Sequence, residues 1–165
     1  MPPSDALSIL KHKAPVTGRC LGLLVTDGAD AATLAALRDE AEKAGASVKI
    51  IAPRVGGATL SDGRHLPADE KLDGAPSVLF DAVALVLSDD AAHQLTREKA
   101  ALDFVSDAFA HCKAIGHTTA AQPLLDKAGV QSDGFILDLS QGARPLIDKL
   151  SSRDWSREPK VKIPL

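Results

Sequence analysis

KAIGHTTAA, residues 113–121, holds the sharpest change of pattern in this chain. A short apolar stretch reaches Gly116, and small residues suited to a helix start follow. The reading is a core strand, KAIGH, that turns sharply through Gly116 into a helix over 119–129, which Gly129 ends. On such an elbow a parallel sheet can present a nucleophile. Here its tip reads glycine and then histidine.

The same alternation extends in both directions. RCLGLLVT (19–26) and FDAVALVLSD (80–89) are nearly continuous apolar runs, the pattern of strands buried on both faces. SVKIIAP (47–53) is a second strand and GFILDL (134–139) a short last one. Residues 30–45 form an amphipathic helix with Asp30 as N-cap and Gly45 as stop. Residues 96–112 space Leu102, Val105 and Phe109 as a helix does, and 142–153 close the domain as another. Two short arms around Asp62-Gly63 give a hairpin over 58–69. The order predicts an α/β, flavodoxin-like three-layer sandwich, a parallel sheet with helices on both faces plus a small β-hairpin. Residues 1–18 read as a linker, 19–153 as the domain, and 154–165 as an extended arm.

Composition narrows the function classes. The chain has 165 residues, 45% of them hydrophobic, enough for one domain with a sizeable core. With four Phe, one Trp and no Tyr, there is no stacking platform for bases or sugars. A net charge of -3 offers no general attraction to nucleic acid or to an anionic membrane. No apolar run has the length of a membrane span, and the first residues lack the order of a secretory signal, so the expected location is cytoplasmic. Cys20 and Cys112 form no CxxC and read as buried small hydrophobes.

Ligand sites in such sheets lie beyond the carboxyl ends of the strands. That edge carries Thr26-Asp27-Gly28, Ala52-Pro53-Arg54, Ser88-Asp89-Asp90 and Gly116-His117-Thr118. TDGADAAT has one glycine and two carboxylates, which does not make a phosphate loop. Asp27 and Asp89 hold only half of a receiver-type acidic site, and Lys113 precedes its strand, at the opposite end. Gly116 has no group to attack with; Thr118 and Thr119 are cap-like; His117 lacks a nucleophile beside it. His65, His93 and His111 are scattered without ligand spacing, so no metal site is expected.

The elbow within this strand order resembles the DJ-1/PfpI branch of the class I glutamine-amidotransferase-like superfamily. Members carry a cysteine there, as AICHG or AICAG, and a supporting acid on the first helix. AIGHT puts Gly116 in the cysteine's place, and a gapless reading from Gly28 to Gly45 puts Thr33 in the acid's. A second resemblance covers essentially the whole chain. The stretch from Gly18 to Val83, with DG, LPAD and GAPSVLFDAV between Asp62 and Val83, is similar to the C-terminal domain of large-subunit (clade 2) haem catalases. The tail from Trp155 to Lys160 matches their W-S-R-x-P-K ending, and ALSIL resembles the linker joining their two domains.

That resemblance implies a parent enzyme that disproportionates hydrogen peroxide on haem, usually as a homotetramer. The haem and its ligands reside in the parent's core, so no cofactor is assigned to this chain. It implies a non-catalytic accessory domain supporting subunit stability and assembly, with the catalase core and neighbouring subunits as partners. A chaperone-like role toward unfolded client proteins is a further implication. The tail from Arg153 to Leu165 has four basic and two acidic residues and the only tryptophan. Trp155, Arg157 and Lys160 are therefore candidate interface residues. The other reading of Trp155 is that it packs back on its own domain. Two alternatives remain: a stand-alone DJ-1/PfpI-type hydrolase or glyoxalase-like enzyme, with Thr118 the nearest nucleophile, and a small-molecule binding module using Asp27, Arg54, Asp89 and His117.

Overall fold

The computed structural model describes residues 14–161. The strand β1 (Cys20–Val25) leads to α1 (Ala31–Lys43) and β2 (Ser47–Ala52). The hairpin strands β3 (Ala58–Thr59) and β4 (His65–Leu66) follow, then β5 (Glu70–Lys71) and β6 (Ala82–Val86). The second half comprises α2 (Asp89–Leu95), α3 (Lys99–Ala110), β7 (Ile115–His117), α4 (Gln122–Lys127), β8 (Ile136–Asp138), α5 (Arg144–Asp148) and α6 (Glu158–Val161). The main sheet has six parallel strands in the order β5-β2-β1-β6-β7-β8; β3 and β4 pair antiparallel outside it.

Alternation along the central strands explains the layers. Leu21, Leu23 and Val25 of β1, with Ala82, Ala84 and Val86 of β6, pack against Leu34, Leu37 and Ala41 of α1 and Leu146 and Ile147 of α5. Leu24, Val83 and Leu85 point the other way, toward Leu95, Phe104, Val105, Leu124 and Leu125 of α2, α3 and α4. Both faces of one sheet are thus buried, as the continuous apolar runs require. The predicted α/β, flavodoxin-like sandwich with its small hairpin is the fold observed.

Several local expectations are corrected. The predicted strand over 80–89 ends at Val86, and Asp89 opens a helix instead of closing the strand. The helix α2 was not anticipated: it is only seven residues long and buries only Ala92 and Leu95. The edge strand β5 was also missed, because Glu70 and Lys71 are both exposed and carry no pattern. The expected extended arm is instead, up to Val161, a 3-10 turn over Trp155–Arg157 followed by α6. Asp154 starts that turn by accepting the Ser156 N–H at 3.1 Å, a cap that local sequence supplies. Most of the proposed linker, with ALSIL, lies outside the described residues. Among the described residues no helix is long and apolar enough to cross a membrane.

Candidate functional site

The chain does not turn at Gly116. Gly116 stays in β7, paired with Ala84 on one side and Leu137 on the other, and its φ is not positive. The expected sharp elbow is therefore absent; the direction changes only after His117, at Thr118, which begins a 3-10 turn. What glycine provides is a close approach. A Cβ placed on Gly116 would lie 2.5 Å from Leu146 Cδ2 and 3.0 Å from Leu139 Cδ2. The space a side chain would enter is filled by apolar atoms from the loop after β8 and from α5.

The neighbouring groups are committed to the backbone. His117 is buried, and its Nδ1 lies 3.2 Å from the carbonyl oxygen of Thr118. The Thr118 hydroxyl accepts the Leu87 N–H at 3.3 Å and sits 3.3 Å from the carbonyls of Leu85 and Leu87, which ties β7 to the end of β6. Thr33 is turned to Asp30: its N–H and hydroxyl both donate to Asp30 Oδ2, at 2.8 and 2.7 Å. Those bonds hold the Asp30 carboxyl below its usual range and start α1. Gly116, His117 and Thr33 thus serve packing, a strand end and a helix cap.

The carboxyl edge of the sheet does hold a cleft, of about 610 Å³. It lies where β1 and β6 meet and the strand order departs in both directions, the expected place for a ligand in this architecture. Asp27 organises its mouth: Oδ2 accepts from Arg54 at 2.8 Å and Oδ1 from the Thr59 N–H at 2.9 Å. The Ser88 hydroxyl donates to the Asp27 carbonyl at 2.7 Å, and Gly28, at φ +80°, leaves room for Ser88 beside it. Asp27 and Arg54 were expected here and are brought together. Asp89 and His117 are not part of the lining; Asp90, Gln94 and Glu98 take their place, with Lys71 and Asp73 from the sheet edge. Asp90 is among the residues the sequence puts at this edge; Gln94 arrives on the unanticipated α2 and Lys71 on the unanticipated β5, with Asp73 in the 3-10 turn after β5 and Glu98 at the cap of α3.

At the opposite, amino edge the tail is locked down. Arg157, a candidate interface residue, is instead buried inside its own domain, 1% exposed. Its guanidinium forks onto Asp133, Nε to Oδ2 at 2.6 Å and NH2 to Oδ1 at 2.8 Å, and NH1 donates to the Lys113 carbonyl at 2.7 Å. The group also stacks on the Phe109 ring at 4.5 Å. Burial pushes the Asp133 carboxyl up, but the Arg157 bonds and the Phe135 N–H outweigh it and hold the group low. No spacing in the sequence announces this pair. Trp155 is 45% exposed and Lys160 is exposed, so both remain available at a surface.

Lys113 is buried beside this clamp, its Nζ donating to the carbonyls of Ser77 at 2.7 Å and Phe80 at 2.6 Å. Burial, helped by the nearby Arg153 charge, brings its pKa down to about 8. Cys112 adopts φ +58°, and burial raises its thiol. Cys20 and Cys112 are both free thiols.

A haem would need an axial side chain facing an apolar slot. Of the described histidines, His65, His93 and His111 are exposed, and His117 is folded under its own backbone. No three His, Cys, Asp or Glu converge among the described residues, and the large cleft is lined by charges. These residues do not fit a haem.

Comparison with known proteins places this geometry. The family model for the C-terminal domain found in long catalases matches residues 17–153. Catalase C of Rhizobium meliloti is 48% identical over 98% of this chain and 24% of its own length. Catalase HPII of Mycobacterium avium is 33% identical over 79% of this chain and 19% of its own. The chain spans about a quarter or less of the length of the curated relatives it matches. Among solved structures, DJ-1beta of Drosophila melanogaster superposes with a TM-score of 0.69 at 15% identity, covering 88% of this chain and 96% of that one. A two-domain protein of Anabaena variabilis, with DJ-1/ThiJ/PfpI-like and ferritin-like domains, gives 0.62 at 18% identity over 70% of this chain and 34% of that one.

Proposed function

The chain belongs to the C-terminal domains found in long catalases, and on that premise we propose that it is a non-catalytic accessory domain of such an enzyme. The observation that carries this reading is the filling of position 116. Where the DJ-1/PfpI resemblance puts a cysteine, Leu146 and Leu139 occupy the space a side chain would need. The nearest hydroxyl, on Thr118, is spent on the backbone of β6, and His117 has no nucleophile to activate.

In this reading the parent enzyme disproportionates hydrogen peroxide on haem in a separate core, as a homotetramer in the cytoplasm. This domain contributes subunit stability and assembly, with a chaperone-like effect on unfolded client proteins as an extension of that role. Trp155 and Lys160 are the residues of the former interface candidates that stay at a surface.

The test uses the purified chain. It should consume no hydrogen peroxide, show no haem absorbance and turn over neither methylglyoxal nor simple esters. Turnover that disappears in His117→Ala would overturn the reading in favour of a stand-alone hydrolase or glyoxalase-like enzyme. In a catalase carrying this domain, its removal should shorten the half-life of the tetramer on heating; an unchanged half-life would count against a stabilising role.

A second reading has its own observation, the 610 Å³ cleft with the Asp27–Arg54 pair at its mouth. It makes the domain a small-molecule binding module. Reproducible calorimetric heat with a polar metabolite, lost in Asp27→Ala, would favour it.

A further inference from the structure

Between β5 and β6 the chain is anchored at two buried residues, Ala75 and Phe80. The Phe80 ring lies over Gly22 of β1, where a Cβ would come within 2.5 Å of it, and meets the Phe104 ring at 6.4 Å between centroids. What stands between the anchors is Pro76 and a 3-10 turn, Ser77–Leu79. Pro76, Val78 and Leu79 are exposed, so the buried member of this segment is a serine. The Ser77 side chain has no hydrogen-bond partner among the described residues, although it is fully buried. A hydroxyl left unpaired in the interior raises the free energy of the closed turn, and no buried apolar side chain in the segment offsets it.

Within the segment the backbone bonds are local. The Leu79 N–H donates to the Pro76 carbonyl and the Phe80 N–H to the Ser77 carbonyl, both at 3.1 Å. The tie to a distant part of the chain comes from Lys113, whose Nζ donates to the carbonyls of Ser77 and Phe80. Lys113 is itself buried, meets two neutral carbonyls there, and forms no ion pair among the described residues. An ammonium held in this way is costly to keep from water. Lys113 and Val78 both line an open groove of about 560 Å³ at the amino edge of the sheet, together with Arg153 and Trp155.

We propose that Pro76–Leu79 is a strap that swings open while the rest of the domain stays folded, and that its opening presents the Lys113 amine to the groove. Opening breaks the two bonds from Lys113 and uncovers no large apolar side chain, while the Ser77 hydroxyl and the ammonium both gain water. Ala75 and Phe80 stay in the core and limit the motion to the residues between them. Closed, the groove has an apolar wall at Val78; open, it gains a primary amine beside Arg153. The device belongs to this chain alone and is independent of the accessory role.

The experiment acetylates the folded chain with a water-soluble N-hydroxysuccinimide ester and follows Lys113 by peptide mass spectrometry, with exposed Lys49 as reference. The reaction is repeated in urea at concentrations below the unfolding transition, and in Ser77→Ala, with far-UV circular dichroism checking that the variant is folded. The Lys113 rate should stay flat against urea, since a strap of this size exposes little surface on opening. Ser77→Ala should slow it about tenfold, because the closed turn no longer holds an unpaired hydroxyl. A Lys113 rate that climbs from the first addition of urea as steeply as global unfolding overturns the proposal, since the amine would then be reached only through the unfolded chain. So does acetylation of Lys113 in folded Ser77→Ala as fast as in the unaltered chain. The urea series on the unaltered chain decides the matter without any variant.

Discussion

A methyl group on Gly116 would press on Leu146 Cδ2 at 2.5 Å, in a layer already closed by Leu139. Overpacking of this kind costs about 1–3 kcal/mol, so Gly116→Ala should lower the urea midpoint, and Leu146→Ala in the same chain should recover part of the loss. An unshifted midpoint would mean that the position was open. The apolar run before Gly116 made the strand legible, but a local glycine reads equally as a turn or as a contact. Leu139 and Leu146, which decide between the two, stand far downstream. Lys113 makes the complementary case. Its ordinary pKa of 10.5 falls to about 8 in the fold, so between those values the unfolded chain binds the extra proton. Stability from this residue therefore rises with pH across that window, and the burial penalty is full below about 8. The difference in urea midpoint between the unaltered chain and Lys113→Met should move in favour of lysine as the pH is raised from 8 to 10.5. A flat difference would show that the ammonium is not desolvated.

The turn and helix from Trp155 to Val161 hang on one side chain. Prolines and alternating character suggest an extended arm, and the arginine beside a lone tryptophan reads as an interface residue. Neither signal carries the information that Asp133, in the loop before β8, offers a matched carboxylate. Removing Arg157 leaves Asp133 partly buried and unpaired, along with the Lys113 carbonyl. Arg157→Ala should therefore cost about 3–5 kcal/mol. Arg157→Lys should recover little of it, because an ammonium cannot make the forked contact. The discriminating readout is local. Protease cleavage near residues 153–158 should accelerate and Trp155 emission should shift in the variants. If stability falls while the tail stays protected, Arg157 acts on the core and not as the tail's anchor. The helix α2 and strand β5 were illegible for a related reason. Short elements with one or two buried residues, or none, are stabilised by what they cover, not by their own periodicity.

Across the molecule, the strands that were easiest to read are those that serve both cores. Leu21 and Leu24, three residues apart in β1, face opposite layers, and Ala82 and Val83 of β6 do the same. A strand buried on both sides must be apolar throughout, so the runs at 19–26 and 80–89 announced a covered parallel sheet from composition alone. The cleft was legible only as an edge, since its lining is assembled from several loops. Sharing strands also couples the two layers. Loss of α1 and α5 from one face would expose the sheet that supports α3 and α4 on the other, so neither face has a stable state of its own. Leu37→Ala on α1 and Phe104→Ala on α3 remove fully buried side chains from opposite layers, each at a cost of about 2–5 kcal/mol. Cooperative unfolding predicts that each variant moves the urea transition seen by far-UV circular dichroism and that seen by Trp155 to the same lower midpoint. Trp155 sits at the amino edge on neither helix, so it follows the whole domain. Separation of the two transitions in Leu37→Ala, with coincidence kept in Phe104→Ala, would show instead that the α1 face melts as an independent unit.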